Sequence, residues 1–393
     1  MNNKRFINAR AADGSPLSFE VKEGRFAAFG ADLPDNAASD SLIDLQGRLV
    51  LPGLVDGHIH LDKSFLGGEW QPHQPVSSLR ERLAVEKALL AQAQPVEERA
   101  SMLIEQAISW GTVAMRSHVD VDATTGLTNL HAVMAAREQW RDKVAIQLVA
   151  FPQAGVISCP GSAAVLESAV KEGVEVIGGI DPTTLDGDAN GQLDILFNLA
   201  ARYGVRMDIH LHEPANQGAQ QLQRIADRTQ ALGLAGRVAV SHAYALGDVS
   251  PSVLEQTARS LADAGVAIMT NAPGDHAFPP ILTLRAAGVR VFAGNDNIRD
   301  AWWPYGNGDM LQRAMLIGYR SGFNTDEELN VALEMATTAA AEVLGVDGYG
   351  LAPGNEANFI VIDAPNSAAA VAMTPSAREI YRRGEKLEVR RYG

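Results

Sequence analysis

Apolar residues fall in short, dense runs through the middle of the chain, and each run ends in a polar or charged cluster. "GTVAMRSHVDV" (111–121), "VAIQLVAFPQ" (144–153), "VEVIGGIDP" (174–182), "VRMDIHLHE" (205–213), "VAVSHAYA" (238–245), "VAIMTNAP" (266–273) and "VRVFAGNDN" (290–297) are of this kind. "RLVLPGLVDGHIHLD" (48–62) precedes them. Their length and β-branched content predict buried strands. Segments of helical period lie between them, among them "NLHAVMAAREQW", "GQLDILFNLAARYG" and "SVLEQTARSLADAG". The last two end in Gly204 and Gly265, as helix C-caps do. Strand–helix units repeated in this way predict an α/β fold, a (β/α)8 TIM barrel. An open doubly wound sheet is the competing layout.

The two ends of the chain have a different texture. "KRFINAR", "LSFEVKEGRFAAFG" and "SLIDLQGRLV" near the start are short β-like pieces broken by Gly, Asp, Asn and Pro, and "GNEANFIVIDA" and "AREIYRRGEKLEVRR" near the end look the same. This predicts a small β-sandwich domain built from residues 1–49 and 350–393. The barrel domain then spans 50–349.

In this layout polar residues gather at the C-terminal ends of the strands, the rim on which barrel enzymes build active sites. They are His58 and His60, His118, Gln153, Asp181, His210 and Glu213, His242, and Asp296. Side chains two apart on a strand share a face, so His58 and His60 point the same way, into the barrel mouth. Two neutral imidazoles there suit a divalent cation. His118 and His131 read as hydrogen-bonded packing residues, and His73 and His276 as loop residues. His212 reads as structural.

Charge and cysteine content narrow the function. The chain has 33 Lys+Arg against 47 Asp+Glu, a net charge of −14. No basic excess is available for nucleic acid or an anionic membrane surface. Cys159 is the single cysteine. That excludes an internal disulfide, cysteine-rich zinc sites and the H-x-E…P-C-x-x-C pattern of nucleic-acid deaminases. The N-terminal segment lacks the apolar core of a signal peptide and no apolar run is long enough for a membrane span. The expectation is a soluble cytoplasmic protein with a small-molecule partner, and a homo-oligomer is compatible with it.

"PGLVDGHIHLD" (52–62) resembles the opening metal motif of the amidohydrolase superfamily. "RSHVDV", "QLVAFPQAGV", "IHLHE", "SHAYAL", "GNDN", "WWPYGNGDMLQ" and "YGLAPGNEANFIVI" extend the resemblance to its cytosine deaminase branch over nearly the whole chain. "DKSF", "GGIDP" and "DNIRD" are similar to the s-triazine branch, the N-isopropylammelide isopropyl amidohydrolases. The resemblance implies one divalent metal ion per chain, Zn2+ or Fe2+, held by His58, His60, His210 and Asp296. The fourth strand holds no Lys to be carboxylated for a second ion. Asp296 and His242 then serve the attacking water, which a divalent ion makes available as hydroxide near neutral pH. Glu213 is the implied proton shuttle to a ring nitrogen. Gln153, Trp302, Asn297, Lys63, Asp181 and Phe151 are the implied substrate contacts.

The resulting expectation is a metal-dependent aminohydrolase of a small nitrogen heterocycle, cytosine deaminase-like, releasing ammonia from an amidine carbon. Hydrolysis of an N-alkylaminotriazine or another cyclic amidine or amide is the alternative. A binding protein that has lost catalysis is a further class, disfavoured because every ligand type and Glu213 are present.

Overall fold

The computed structural model describes residues 3–30, 41–274 and 276–392. Its centre is a sheet of eight parallel strands. In chain order these are Leu54–Ile59, Thr112–Asp120, Ala145–Phe151, Val176–Ile180, Arg206–Leu211, Val238–His242, Ala267–Thr270 and Val291–Ala293. Neighbours in sequence are neighbours in the sheet. The strands are buried almost throughout because helices cover the outer face, which is why they read as continuous apolar runs.

The sheet closes on itself. A parallel bridge joins Ile59 to Asp296, and the Asp296 amide donates to the His58 carbonyl at 2.7 Å. Asp56 of the first strand accepts from the Asn295 amide at 3.0 Å and from its side chain at 2.7 Å. Two glycines let the strands approach this closely. A Cβ on Gly294 would lie 2.6 Å from the His58 nitrogen and 2.7 Å from its oxygen; one on Gly57 would lie 2.6 Å from the Ala293 carbonyl. The barrel, rather than the open doubly wound sheet, is the fold.

Helix boundaries follow local chemistry. The helix Ala189–Tyr203 starts at Asp188, whose side chain accepts from the Gly191 amide, and ends at Gly204 with φ 70°. Pro251–Ala264 has proline in its first turn and ends at Gly265 with φ 66°. Both terminal glycines are the expected left-handed caps.

The run 48–62 is not one strand. It breaks at Gly53, and Ser41–Pro52 belongs to a second, seven-stranded mixed sheet. That strand lies parallel to Lys4–Arg10 and antiparallel to Phe359–Ile362, so the sheet draws on both ends of the chain. Its core is an aromatic cluster of Phe6, Phe19, Phe26, Phe359 and Tyr381. Residues 31–40 of the N-terminal piece lie outside the described residues. No described helix is long and apolar enough to cross a membrane.

Candidate active site

The C-terminal strand ends bring His58, His60, His118, His210, His242 and Asp296 together, all buried. Nε2 of His58 and Nε2 of His60 are 3.4 Å apart, and each lies 3.4 Å from Asp296 Oδ1. Donor atoms of His58, His210, His242 and Asp296 fall within 4.8 Å of one another. His242 and Asp296 sit at strand ends with φ 74° and 63°, a conformation non-glycine residues adopt rarely and often at functional sites.

The lone pairs of this cluster point at one another. The Ser241 hydroxyl donates to Asp208 Oδ1 at 2.6 Å, so Ser241 Oγ accepts from His58 Nδ1 at 2.9 Å. The His58 proton is therefore on Nδ1, and its bare Nε2 faces His60 and Asp296. Asp208 is itself held by the buried Arg116 guanidinium at 2.8 Å. Both His210 nitrogens, His60 Nδ1 and His242 Nδ1 are buried without a hydrogen-bond partner among the described residues. Burial pulls the His60 pKa below the ordinary imidazole range and those of His210 and His242 well below it. Burial opposes ionisation of Asp296, yet the surrounding imidazoles hold its carboxyl well below the usual range.

A carboxylate among neutral imidazoles fits a divalent cation. Ligands about 2.1 Å from a tetrahedral ion are roughly 3.4 Å apart, the separation observed between His58, His60 and Asp296. Unpartnered buried nitrogens on His210 complete the donor set.

Above the cluster lies a small cavity lined by His60, Lys63, Phe151, Gln153, Ile180, His210, His212, His242, Asp296, Asn297 and Trp302. Phe151 stacks on His210 with ring centres 4.1 Å apart. Asn297 donates to Asp300 at 2.6 Å, and Asp300 also accepts from the amides of Trp302 and Trp303. Burial pushes the Asp300 carboxyl up to about 7.

Lys63 is buried; the exposed loop-start lysine its sequence position also allows is not what the fold contains. Its ammonium contacts Glu86 at 3.1 Å, Asp120 at 3.1 Å and the Gln153 amide oxygen. Burial works against the charged form, but Asp120 and Glu86 outweigh it and raise the lysine pKa, so Lys63 is a cation.

Two expectations fare differently around the fifth strand. His212 lies two residues from His210, and its ring is turned toward the same site although the strand itself ends at Leu211. The His212 ring stacks on His242 with centres 4.6 Å apart and lines the cavity, contrary to its reading as a structural residue. Asp181 accepts from the His212 amide at 2.6 Å and pairs with its Nδ1 at 2.8 Å, so it orients His212 and does not itself line the cavity. Burial lowers the His212 pKa less than the Asp181 charge and hydrogen bond raise it. Glu213 is buried beside this pair. Its Oε1 accepts from the amides of Thr183 and Thr184 at 2.6 and 2.7 Å, Oε2 has no partner, and the residue is not among those lining the cavity.

Among the other histidines, His118 stacks on His58 with centres 3.8 Å apart; among the described residues neither of its nitrogens has a hydrogen-bond partner, and Nε2 lies 3.8 Å from Asp208 Oδ2. His131 is exposed and paired with Glu172 at 2.6 Å. His73 meets the Trp302 carbonyl at 3.0 Å.

Residues 41–386 match the profile of the Amidohydrolase family. The chain belongs to this family. It is 34% identical over 327 residues to N-isopropylammelide isopropyl amidohydrolase of Pseudomonas sp. (strain ADP), covering 82% of this chain and 81% of the relative. The structure of N-isopropylammelide isopropylaminohydrolase from Burkholderia multivorans superposes with a TM-score of 0.93 at 39% identity, over 98% of each chain. That of 5-methylcytosine deaminase from Klebsiella pneumoniae superposes with a TM-score of 0.87 at 27% identity, over 99% of each. Both branches of the sequence resemblance are therefore found among the relatives.

Three site residues of this amidohydrolase carried no signal in the sequence. Ser241 and Asp208 lie inside apolar strands, where a small hydroxyl or single acid reads as packing. Glu86 lies on the helix Leu79–Leu90, outside any strand end.

Proposed function

We propose that the protein hydrolyses an exocyclic C–N bond of a small, carbonyl-bearing nitrogen heterocycle, releasing ammonia or an alkylamine. The observation that carries the reading is the set of unpartnered imidazole nitrogens around Asp296, opening directly onto a cavity with a hydrogen-bonding wall. His58, His60, His210 and Asp296 would hold one divalent ion, Zn2+ or Fe2+. When bound, that ion would polarise a water and lower its pKa toward neutrality.

The chain's own groups do the rest. Asp296 Oδ2 accepts from Asn271 at 2.9 Å, which fixes the carboxylate that takes the proton of the attacking water. His242 faces the same point and offers a donor to the oxygen as charge develops there. His212, oriented by Asp181, is the group placed to deliver a proton to the ring nitrogen beside the reacting carbon. That protonation makes the carbon electrophilic. Water oxygen bonds to carbon, the exocyclic C–N bond breaks, and the amine leaves with the transferred protons. Glu213 anchors the turn Thr183–Thr184 next to Asp181, and its free Oε2 keeps it as the alternative shuttle. Phe151 and Trp302 supply flat surface for the ring.

Lys63 and Asn297 favour a ring richer in carbonyl groups than cytosine, because an ammonium and a carboxamide offer donors to acceptors on the ring. The close similarity to the N-isopropylammelide enzymes supports the same direction. The test is a panel of N-alkylaminotriazines, aminotriazines, cytosine and 5-substituted cytosines on metal-defined protein, reading amine and ammonia release. Turnover of an N-alkylamino or amino oxotriazine is expected. Silence on the whole panel would overturn the reading.

A further inference from the structure

We propose that Glu86 is a gate that sets substrate class: its carboxylate competes with the ring for the donors of Lys63, Gln153 and Trp302, so the pocket admits rings whose edge presents in-plane acceptors able to displace it. The inference rests on the heterocycle aminohydrolase reading above.

Glu86 is 2% exposed, while the other described positions of its helix are exposed or half-buried. Its Oε1 accepts from Lys63 at 3.1 Å and from the Trp302 indole N–H at 2.6 Å; its Oε2 accepts from the Gln153 amide at 2.5 Å. Those three donors line the cavity, and Glu86 does not. One carboxylate from outside the barrel thus engages three hydrogen-bonding groups of the site. The Gln153 amide is bonded at both ends, to Glu86 and to Lys63.

The space available agrees with a gate. The cavity is about 50 Å³. A cavity that takes a benzene-sized ring is about 150 Å³. Displacing Glu86 from the wall would enlarge the pocket toward the size of a six-membered ring. The helix Leu79–Leu90 is joined to the barrel strand before it by residues 60–78, which form no helix or strand. Its other polar ties to the rim are Arg82 to the Ala301 carbonyl at 2.7 Å and Lys87 to Thr124 at 3.1 Å.

Charge balance explains why this carboxylate is the one that can leave. Glu86 and Asp120 both flank the single ammonium of Lys63. If Glu86 withdraws to water, Lys63 stays paired with Asp120 and no buried cation is left alone. The donors released are an ammonium, an indole N–H and an amide N–H. The first two cannot accept. A ring edge carrying carbonyls or a deprotonated ring nitrogen satisfies them; an edge carrying amino groups sets donor against donor.

The experiment compares the full-length, metal-loaded wild type with Glu86→Ala and Glu86→Gln by titration calorimetry. Two six-membered rings with no hydrolysable amidine C–N bond serve as inert probes: a trioxotriazine, with an acceptor edge, and 1,3,5-triaminobenzene, with a donor edge. The expected result is a Kd for the trioxo ring at least ~10-fold lower in Glu86→Ala, a smaller fall in Glu86→Gln, and less than about a threefold change for the triamino ring. KM for any ring turned over falls by more than kcat changes. Unchanged or weaker trioxo-ring binding in both variants, or equal tightening of both rings, would overturn the gate. Because binding of inert rings needs no turnover, failure of the substrate panel leaves this test intact. Glu86→Gln keeps the side-chain shape and guards against a variant that merely misfolds.

Discussion

The two walls of the pocket are built on opposite rules. On the metal side, buried donors are left without partners: both His210 nitrogens, and single nitrogens of His60 and His242. On the Lys63 side the ammonium, the Gln153 amide and the Trp302 N–H are all engaged, through Glu86, Asp120 and one another. Unsatisfied buried polar groups are expensive, so a site tolerates them where a ligand supplies the missing partner. The first wall is organised around something the chain lacks. The second is organised around something the chain supplies itself and must give up.

The largest expected effect breaks the first wall. His58→Ala or Asp296→Ala should abolish turnover and leave the purified protein without its metal. Elemental analysis of the wild type should find about one first-row divalent ion per chain. Two tightly bound ions per active chain would contradict the single site.

The next effect separates the two proton-transfer candidates. His212→Asn should retain metal and lose at least ~10²-fold in kcat, the scale of general acid–base catalysis. Glu213→Gln should lose less, about tenfold, through loosening of the Thr183–Thr184 turn. The reverse order, measured by steady-state kinetics on metal-loaded enzyme, would return the shuttle to Glu213.

Much of this was legible in the residues. Each apolar run ends in polar residues, and that pairing of period with position marks both a parallel barrel and the rim where its chemistry gathers. His58, His60, His210, His242 and Asp296 all follow from it. His212 was legible by the same alternation, being two residues from His210, and reading it as structural left that period unused. Pro52 and Gly53 mark the passage between two sheets, but a continuous apolar run hides it. Glu86 and Ser241 depend on contacts across 67 and 183 residues, to Gln153 and His58 respectively, and no local pattern encodes those.

A smaller effect sharpens how the metal wall is held. Ser241→Ala leaves His58 Nδ1 without its acceptor and frees the ring tautomer. Metal affinity should weaken by about 10–100-fold, the usual consequence of losing a partner behind a ligand. Competition with a chromogenic chelator checks it; unaltered affinity would show that Asp208 and Ser241 do not orient His58.

The smallest effect concerns the rim beside the Lys63 wall. The Asp300 carboxyl is raised from 3.8 to about 7 by burial. Folding therefore takes up a proton, and this contribution to stability is present below the ordinary carboxylate range and lost as pH rises through about 7. Asp300→Asn, which carries no titrating group, should flatten the fall in Tm between about pH 4 and pH 7, where the wild-type slope from one such group is at most roughly 1.4 kcal/mol per pH unit. Identical Tm profiles for variant and wild type would remove Asp300 as the titrating group.

The glycine-lined seam between the first and last barrel strands has a bearing on how the enzyme matures. Asp56 and Asn295, which pin that seam, are 239 residues apart in the chain. His58 and Asp296 flank them, so a chain leaving the ribosome cannot assemble this metal site until nearly the whole barrel has been made. Ion capture then comes late, after the costly loop closure, and favours only the closed form. A divalent ion bound there would act as a latch on the completed barrel, so that metal supply during synthesis would set how much of the newly made protein stays shut.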